Sequence, residues 1–334
     1  MKPDFYFDPK IYEQEYSKIF SRTSFVCEAS LLNADNSYYS YLNFGRPISI
    51  RKSEDEFLAF ENICLHRSNL IDPVGHGVRD FKCNYHGWRY ESEGALARAP
   101  LADVSCLQRK ILNSRKLAQY KNLLFYDDDG EISKEIELLN EIDYLDCGTF
   151  YQSELLHECN WKLLVENVVE SYHISFAHPE SFVPTGITST SANINKYKGG
   201  SSYFEIKNKK ITDFKNNYSN NYKHAYIYPN LFVSITAGIV GFMSYIIPIS
   251  PEKTLLKWRL FETKHMSSYN ESVKKYIRKN SIDFAIRVLN EDLVLLNSSQ
   301  LGIRYASNKF QLQKVEERID HFHQTYLSRM GLIP

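Results

Sequence analysis

The sequence predicts an α+β chain of two domains, the first an antiparallel β domain and the second a set of helices packed on a further antiparallel sheet. Three observations carry this. The chain has 334 residues, too long for one small module, and is 43% hydrophobic and 14% aromatic, enough for two buried cores. From Tyr38 to Tyr126 it is written as short β-like runs (YYSYLNF, PISIRK, FLAFEN, LLFYD) separated by Gly, Asp, Asn and Pro. Beyond residue 160 apolar residues recur at helical spacing, with strand-like runs between.

Taken in order, the stretch 9 to 30 starts at Asp8-Pro9, a helix-opening pair, and carries Ile11, Tyr12, Tyr16, Ile19 and Phe20, an amphipathic helix leading into a strand at SFVCE. The β-rich block follows and ends at acidic Asp127 to Glu131; a linker of Glu, Leu and Ile then runs to about residue 150. Asn160 suits a helix N-cap, and Leu163, Leu164, Val168 and Val169 continue that helix. AYIYPNLFVSI, GFMSYIIPI and LLKWRLFET read as strands, 271 to 304 as a long helix, and Phe310 to Arg329 as a last amphipathic helix. There is no internal repeat or low-complexity tract, and Asn216 to Asn221 is a polar loop.

The formal net charge is zero, which argues against nucleic acid or an anionic membrane as the main partner. The N-terminus MKPDFYFDPK lacks an apolar signal core, and the longest apolar run, Ala237 to Ile249, is broken by Gly241, Ser244 and Pro248. The expectation is a soluble cytoplasmic protein. Of six cysteines, Cys27, Cys106, Cys147 and Cys159 are scattered without framework spacing and read as free buried thiols.

The remaining two organise the first domain. In the stretch Cys64 to Gly94, Cys64 and His66 form a Cys-x-His pair, and Cys83 and His86 a Cys-x-x-His pair. Two thiolates and two imidazoles on paired loops form the ligand set of a Rieske 2Fe-2S centre. A structural zinc site is the alternative, but zinc fingers place both His after both Cys. His86-Gly87-Trp88, Tyr90, Gly94 and Arg67 resemble the Rieske domain of the Rieske non-haem iron oxygenases. Ser68 and Asn69 depart from that pattern, which more often has small glycine-like residues there.

In the second domain Glu166, Glu170 and His173 fall at i, i+4 and i+7 on one helical face. Pro179 disfavours helical geometry at His178, so the chain can unwind and bring the second imidazole toward the first, the beginning of a mononuclear Fe(II) site. Asn-Trp-Lys at 160 to 162 and Glu-x-x-His-x4-His-Pro from Glu170 resemble the iron-binding helix of the same family. A third, anionic ligand would complete a facial triad. Asn290-Glu291-Asp292 with Gln300 and Gly302 is similar to the family segment whose Asp binds iron, which maps to Asp292, with Glu291 and Asp283 as competitors.

The resemblance covers nearly the whole chain and implies an oxygenase (α) component: residues 1–36 an N-terminal helix on the catalytic domain, 37–150 the Rieske domain, and 151–334 a helix-grip (START/SRPBCC-like) catalytic domain. It implies a 2Fe-2S cluster, Fe(II), O2 as co-substrate and a small-molecule substrate, hydroxylated or oxidatively demethylated by mono- or dioxygenase chemistry. NAD(P)H electrons would arrive through a separate flavin or ferredoxin-type reductase, since no nucleotide-binding glycine motif occurs here. It also implies that Glu170 bridges His173 to His86 of a neighbouring subunit in a homotrimer. Glu at that position, with Glu-Asn before it and Tyr-His after, is similar to members acting on quaternary ammonium compounds such as carnitine, betaines and choline. The rival reading is a Rieske electron carrier without oxygenase chemistry, which would not need His173, His178 and Asp292 to bind iron.

Overall fold

The computed structural model describes residues 1–334 except 103–109, 129, 143, 145, 190, 191, 208–220 and 334. Cys106 and residues 216–220 of the polar loop therefore lie outside the described residues. The chain divides into two compact units, Ser21–Ser133 and a second composed of Met1–Phe20 with Lys134–Pro334.

The strands of the Ser21–Ser133 unit all pair antiparallel. Its strands are β1 (Thr23–Glu28), β2 (Ser37–Asn43), β3 (Arg46–Ser53), β4 (Glu56–Glu61), β5 (Gly75–Val78), β6 (Arg89–Tyr90), β7 (Leu96–Arg98), β8 (Ser114–Lys116), β9 (Ala118–Tyr120) and β10 (Leu123–Asp127). Among the described residues they form a five-stranded sheet in the order β5-β2-β3-β4-β8, a three-stranded sheet β1-β10-β9 and a hairpin β6-β7. Asp72, fully buried, ties the loop after β4 to this sheet. Arg51 grips its carboxylate through both Nε (2.9 Å) and Nη2 (2.6 Å), and Ser49 Oγ donates to it at 2.6 Å. Asn62 accepts from the backbone N–H groups of Ile71 and Asp72 at 3.0 and 2.9 Å. A two-pronged Arg–carboxylate contact fixes orientation as well as position.

In the other unit, α1 (Pro9–Glu15) opens on Asp8, whose side chain accepts from Lys10 N. The helix read ahead of SFVCE ends at Glu15, passes through a wide π-type turn at Tyr16–Phe20 and gives way to β1, which contains SFVCE as read. The stretch read as linker contains short helices α2 (Ile132–Glu135) and α3 (Leu138–Glu141), with Leu138 and Leu139 buried. Then come β11 (Thr149–His157), α4 (Trp161–Val169), α5 (Ile174–Ala177), α6 (Phe182–Thr185), β12 (Ala192–Lys198), β13 (Ser201–Lys207), β14 (Asn221–Ile227), β15 (Leu231–Thr236), β16 (Val240–Ser250), β17 (Lys253–Glu262), α7 (Glu271–Ile303) and α8 (Glu317–Arg329). The seven strands form one antiparallel sheet among the described residues, ordered β11-β17-β16-β15-β14-β13-β12.

Side chains alternate across this sheet. Met243 and Phe261 face Tyr144 on one side. Phe204, Tyr222, His224 and Tyr226 face the other, where Tyr226 meets Phe322 of α8. The helix read as starting at Phe310 begins at Glu317, after a short turn at Lys314–Glu316.

Three sequence-distant elements meet at Glu15. Its carboxylate accepts from Trp161 Nε1 at 2.7 Å, Lys162 Nζ at 2.5 Å and Tyr326 Oη at 2.6 Å, and both Glu15 and Lys162 are fully buried. Burial lowers the Lys162 pKa, opposed by the Glu15 charge. Glu15→Ala should therefore leave a buried ammonium without its counter-ion and cost about 3–5 kcal/mol. Chemical denaturation measures this; a loss under about 1 kcal/mol would show that the pair does not hold α1, α4 and α8 together.

Candidate functional site

In the Ser21–Ser133 unit, Cys64 and His66 follow β4 on a tight turn in which Ser68 N donates to Cys64 O at 3.0 Å. Cys83 and His86 lie on a second, closed by Gly87 N to Cys83 O at 3.0 Å. Ser68 takes a φ of 55°, the left-handed conformation that glycine adopts at no steric cost. The departure noted in the sequence thus keeps the turn and changes only the residue that makes it. Asn69 Nδ2 donates to Leu70 O at 2.7 Å and lies 3.7 Å from Cys83 Sγ.

Both thiols are buried, whereas both imidazoles are exposed and face each other with their Nδ1 atoms 3.2 Å apart. Trp88 stacks on His66 at 4.8 Å and 8°. Tyr90 Oη donates to Cys64 Sγ at 3.2 Å and accepts from Leu65 N at 3.0 Å. Burial pushes the Cys64 thiol pKa up, and the Tyr90 hydrogen bond opposes that shift. Two buried sulfurs and two convergent ring nitrogens fit a cluster that takes sulfur on one iron and nitrogen on the other.

In the other unit α4 stops at Val169. Glu170 is extended (φ −120°, ψ 168°), and His173 instead caps the four-residue helix α5. The expected single face is thereby corrected. Glu166 points away from His173, accepting from Tyr6 Oη at 2.5 Å and contacting His323 Nε2 at 2.8 Å. Glu170 turns back, accepting from His173 Nδ1, from Tyr172 N and, at 3.2 Å, from His173 N. His178 leaves helical geometry (φ −123°, ψ 46°) just before Pro179, so the two imidazoles come within 5.2 Å, centre to centre.

Asp292, from α7, lies between them. Its Oδ1 is 3.1 Å from His178 Nε2 and 3.8 Å from His173 Nε2, and it accepts from Asn167 Nδ2 at 3.2 Å. Ligand atoms of His173, His178 and Asp292 all lie within 4.8 Å of one another. Glu291 turns to the far side of His178, taking Nδ1 at 2.6 Å and Ser181 Oγ at 2.7 Å. Asp283 is exposed. Burial works to lower the His178 pKa, but the Asp292 and Glu291 carboxylates outweigh it and the pKa is raised. His178 Nε2 is buried with no hydrogen bond of its own. A buried nitrogen left open beside a carboxylate and a second imidazole fits a metal ion held by two His and one carboxylate.

Glu291 as orienter of His178, Asn167 as partner of Asp292 and Tyr90 as donor to Cys64 were not singled out from the sequence for these roles. Nor was His157, whose two ring nitrogens are buried without partners and whose pKa burial lowers to about 4. Gln300, noted only as part of a motif, joins α7 to the start of α4 by accepting from Asn160 N at 2.9 Å. Of the cysteines read as buried, Cys27 and Cys159 are buried and Cys147 is exposed.

A β unit with a two-Cys, two-His cradle and an α+β unit with a two-His, one-carboxylate cradle define a two-centre iron protein. Residues 144–332 match the ring hydroxylating alpha subunit (catalytic domain) and residues 23–121 the Rieske [2Fe-2S] domain. The chain belongs to the ring-hydroxylating α subunit family of Rieske oxygenases. It is an oxidoreductase whose cofactors are a Rieske 2Fe-2S cluster and Fe(II), and its function is that of an oxygenase component rather than a bare electron carrier.

Relatives include the chloroplastic choline monooxygenase of Beta vulgaris, 27% identical over 95% of this chain and 74% of the relative. The carnitine monooxygenase oxygenase subunit of Escherichia coli (strain K12) is 25% identical over 96% of this chain and 90% of the relative. Among solved structures, the quaternary ammonium Rieske monooxygenase CntA in complex with L-carnitine superposes with a TM-score of 0.75 at 21% identity, over 98% of this chain and 94% of that one. Naphthalene 1,2-dioxygenase from Rhodococcus sp. has a TM-score of 0.74 at 17% identity, covering 99% and 94%. Among the described residues no helix is long and apolar enough to cross a membrane.

The Tyr90 contact yields a prediction for the cluster. A hydrogen bond to a thiolate ligand favours the more negative, reduced state, so Tyr90→Phe should retain the cluster and lower its midpoint potential. Losing roughly 1 kcal/mol corresponds to about 40 mV for one electron. A redox titration giving a shift under about 10 mV would remove Tyr90 from the tuning of the cluster.

Proposed function

We propose that Cys64, His66, Cys83 and His86 hold the 2Fe-2S cluster, that His173, His178 and Asp292 hold the mononuclear iron, and that the substrate is a quaternary ammonium compound. The observation that carries the iron assignment is the 4.8 Å convergence of the two imidazoles and the carboxylate. When bound, the cluster supplies single electrons and the mononuclear iron supplies O2 activation. The protein's own part is positional: Glu291 holds the His178 ring through Nδ1, Glu170 holds His173 through Nδ1, and Asn167 holds Asp292, so each Nε2 and the Oδ1 face a common point. Glu291 is assigned an orienting role because its carboxylate is engaged on the far side of the ring.

The substrate class is supported by the relatives, which are named for choline and carnitine, and by the structural neighbour described as a quaternary ammonium monooxygenase. Electrons are assigned to a separate reductase, since the sequence contains no nucleotide-binding glycine motif. For Glu170 we propose a bridge to His86 of a second copy of the chain within a homotrimer. The exposure of His86 supports this reading, as does inter-subunit electron transfer described for the quaternary ammonium Rieske monooxygenase.

Anaerobically purified protein should contain about three irons per chain, two in the cluster and one mononuclear. His173→Ala or Asp292→Ala should lose about one of the three with the cluster spectrum unchanged. Full iron in the Asp292 variant would reassign the ligand, and a cluster lost in both would show that the two sites are not independent.

Glu170→Gln should keep both centres yet slow oxidation of the reduced cluster under O2 and substrate by about 10–100-fold, because Gln removes the charge and replaces one of the two acceptor oxygens by an NH2 donor. Single-turnover spectroscopy of the cluster reads this directly. A variant that reoxidises at the parental rate would remove Glu170 from the electron path and, with it, this argument for the trimer.

A further inference from the structure

Arg318 opens the first turn of α8 and is 4% exposed, yet its Nη1 has no hydrogen-bond partner among the described residues. Its guanidinium lies over the Phe204 ring, with Cζ 3.8 Å from the centroid. Phe204 is paired across the sheet with His224, ring centres 5.0 Å apart, and His224 Nδ1 is likewise buried without a partner. Two unsatisfied polar atoms thus sit together on the helix-facing side of the sheet. Burial lowers the Arg318 pKa to about 10, against the raising effect of surrounding groups that include Glu170 and Glu317, so it remains cationic near neutrality. Burial brings His224 to about 3, so it is neutral there.

A buried cation without a bonded anion is costly, and stacking on one aromatic ring returns only part of that cost. Such a group in a folded protein calls for an explanation, and a ligand that brings the missing acceptor is one. The position says which ligand. Phe204 touches Tyr222 (5.8 Å between ring centres), Tyr222 touches Phe182 (6.1 Å), and Phe182 touches His178 (5.3 Å). One aromatic wall therefore runs from the unpaired guanidinium to the two-His, one-carboxylate site.

We infer that Arg318, assisted by His224, receives a carboxylate of the substrate, so that the chain acts on zwitterionic betaines in which an ammonium and a carboxylate are separated by a few bonds. This deepens the quaternary ammonium reading and rests on it for the cationic end only. The trimethylammonium group lies on the Phe182–Tyr222 wall, whose ring faces attract a cation, with its N-methyl groups toward His173, His178 and Asp292. The carboxylate lies at Arg318. Choline fills the first position and leaves the guanidinium unpaired. Arg318 is accordingly a specificity residue, acting through substrate binding at a distance from the reacting carbon.

The test is isothermal titration of the iron-loaded holoenzyme under anaerobic conditions with three probes: γ-butyrobetaine, choline, and 5,5-dimethylhexanoate, the carbon isostere that keeps the carboxylate and drops the positive charge. Parental protein should bind γ-butyrobetaine about 10-fold or more tighter than choline, the scale of a hydrogen bond to a charged group. Arg318→Gln should erase that preference by weakening γ-butyrobetaine and leaving choline within about twofold, and Arg318→Lys should retain part of it. If Arg318 awaits a ligand, the ligand-free Gln variant should melt no lower than the parent, whereas a guanidinium serving only the fold would lower the melting temperature. A γ-butyrobetaine to choline ratio that is unchanged in folded Arg318→Gln overturns the inference. Should neither ammonium compound bind, the substrate class fails. The isostere then decides separately: binding lost in the Gln variant supports the carboxylate site, and no binding to parental protein overturns it.

Discussion

A carboxylate with no exposure to solvent, Glu15, accepts hydrogen bonds from an indole, an ammonium and a phenol carried by two other helices, and the catalytic unit depends on that contact. Three donors satisfy a buried anion that would otherwise be prohibitive, and the Lys162 charge compensates its own. Because Trp161 and Lys162 are the first two residues of α4, the network sets where that helix begins. Gln300 fixes the same end from α7 through Asn160. Nine residues later the helix stops at Val169, and the chain delivers Glu170, His173 and His178 from a frame whose start is pinned on two sides.

The ligand cradle repeats this logic on a smaller scale. Asp292 does not stand free between two imidazoles: Asn167, on the last turn of α4, holds its Oδ1, so the helix that leads to the histidines also places the third group from α7. Glu291, adjacent to Asp292 in sequence, reaches His178 on the opposite ring nitrogen. One Glu-Asp pair on α7 thus flanks one imidazole, Glu291 bonded at Nδ1 and Asp292 beside the open Nε2, which explains why a carboxylate next to the proposed ligand serves a different purpose from it. Such outer partners fix ring orientation and tautomer.

Much of this was legible in the sequence, and for identifiable reasons. The two Cys/His pairs lie within 23 residues on local turns, so the ligand set, each Cys with its own His, and the residues flanking it point to a cluster. The long helix was readable because its residues, Glu271–Ile303, hold no Pro and no Gly before Gly302 in the last turn. The break at Glu170 was not, since VVESYH holds no Gly or Pro and its weak helix formers mark no single stopping point; the chain leaves the helix where Glu170 accepts from the backbone N–H and the ring of His173 instead. The early end of the first helix was equally hidden, because Tyr16–Phe20 keeps the apolar spacing while widening its turn. Arg318 and His224 are 94 residues apart and carry no motif. Only the pairing of β13 with β14, and the packing of α8 on that face, makes them neighbours.

The distribution of exposure divides the work of the catalytic unit. His173 is its more exposed imidazole, with a side chain 21% accessible against 1% for His178, and it is the one that contacts Glu170. His178 is the one that meets the aromatic wall leading inward to Arg318. Under the proposed roles the electron would arrive through Glu170 and the more accessible imidazole, and the substrate would lie along Phe182, Tyr222 and Phe204 against the buried one. Burial at His178 and Arg318 also excludes water from the side where a small cation and its carboxylate must be distinguished, and in that low-dielectric surrounding an unpaired charge discriminates more strongly than it would at the surface.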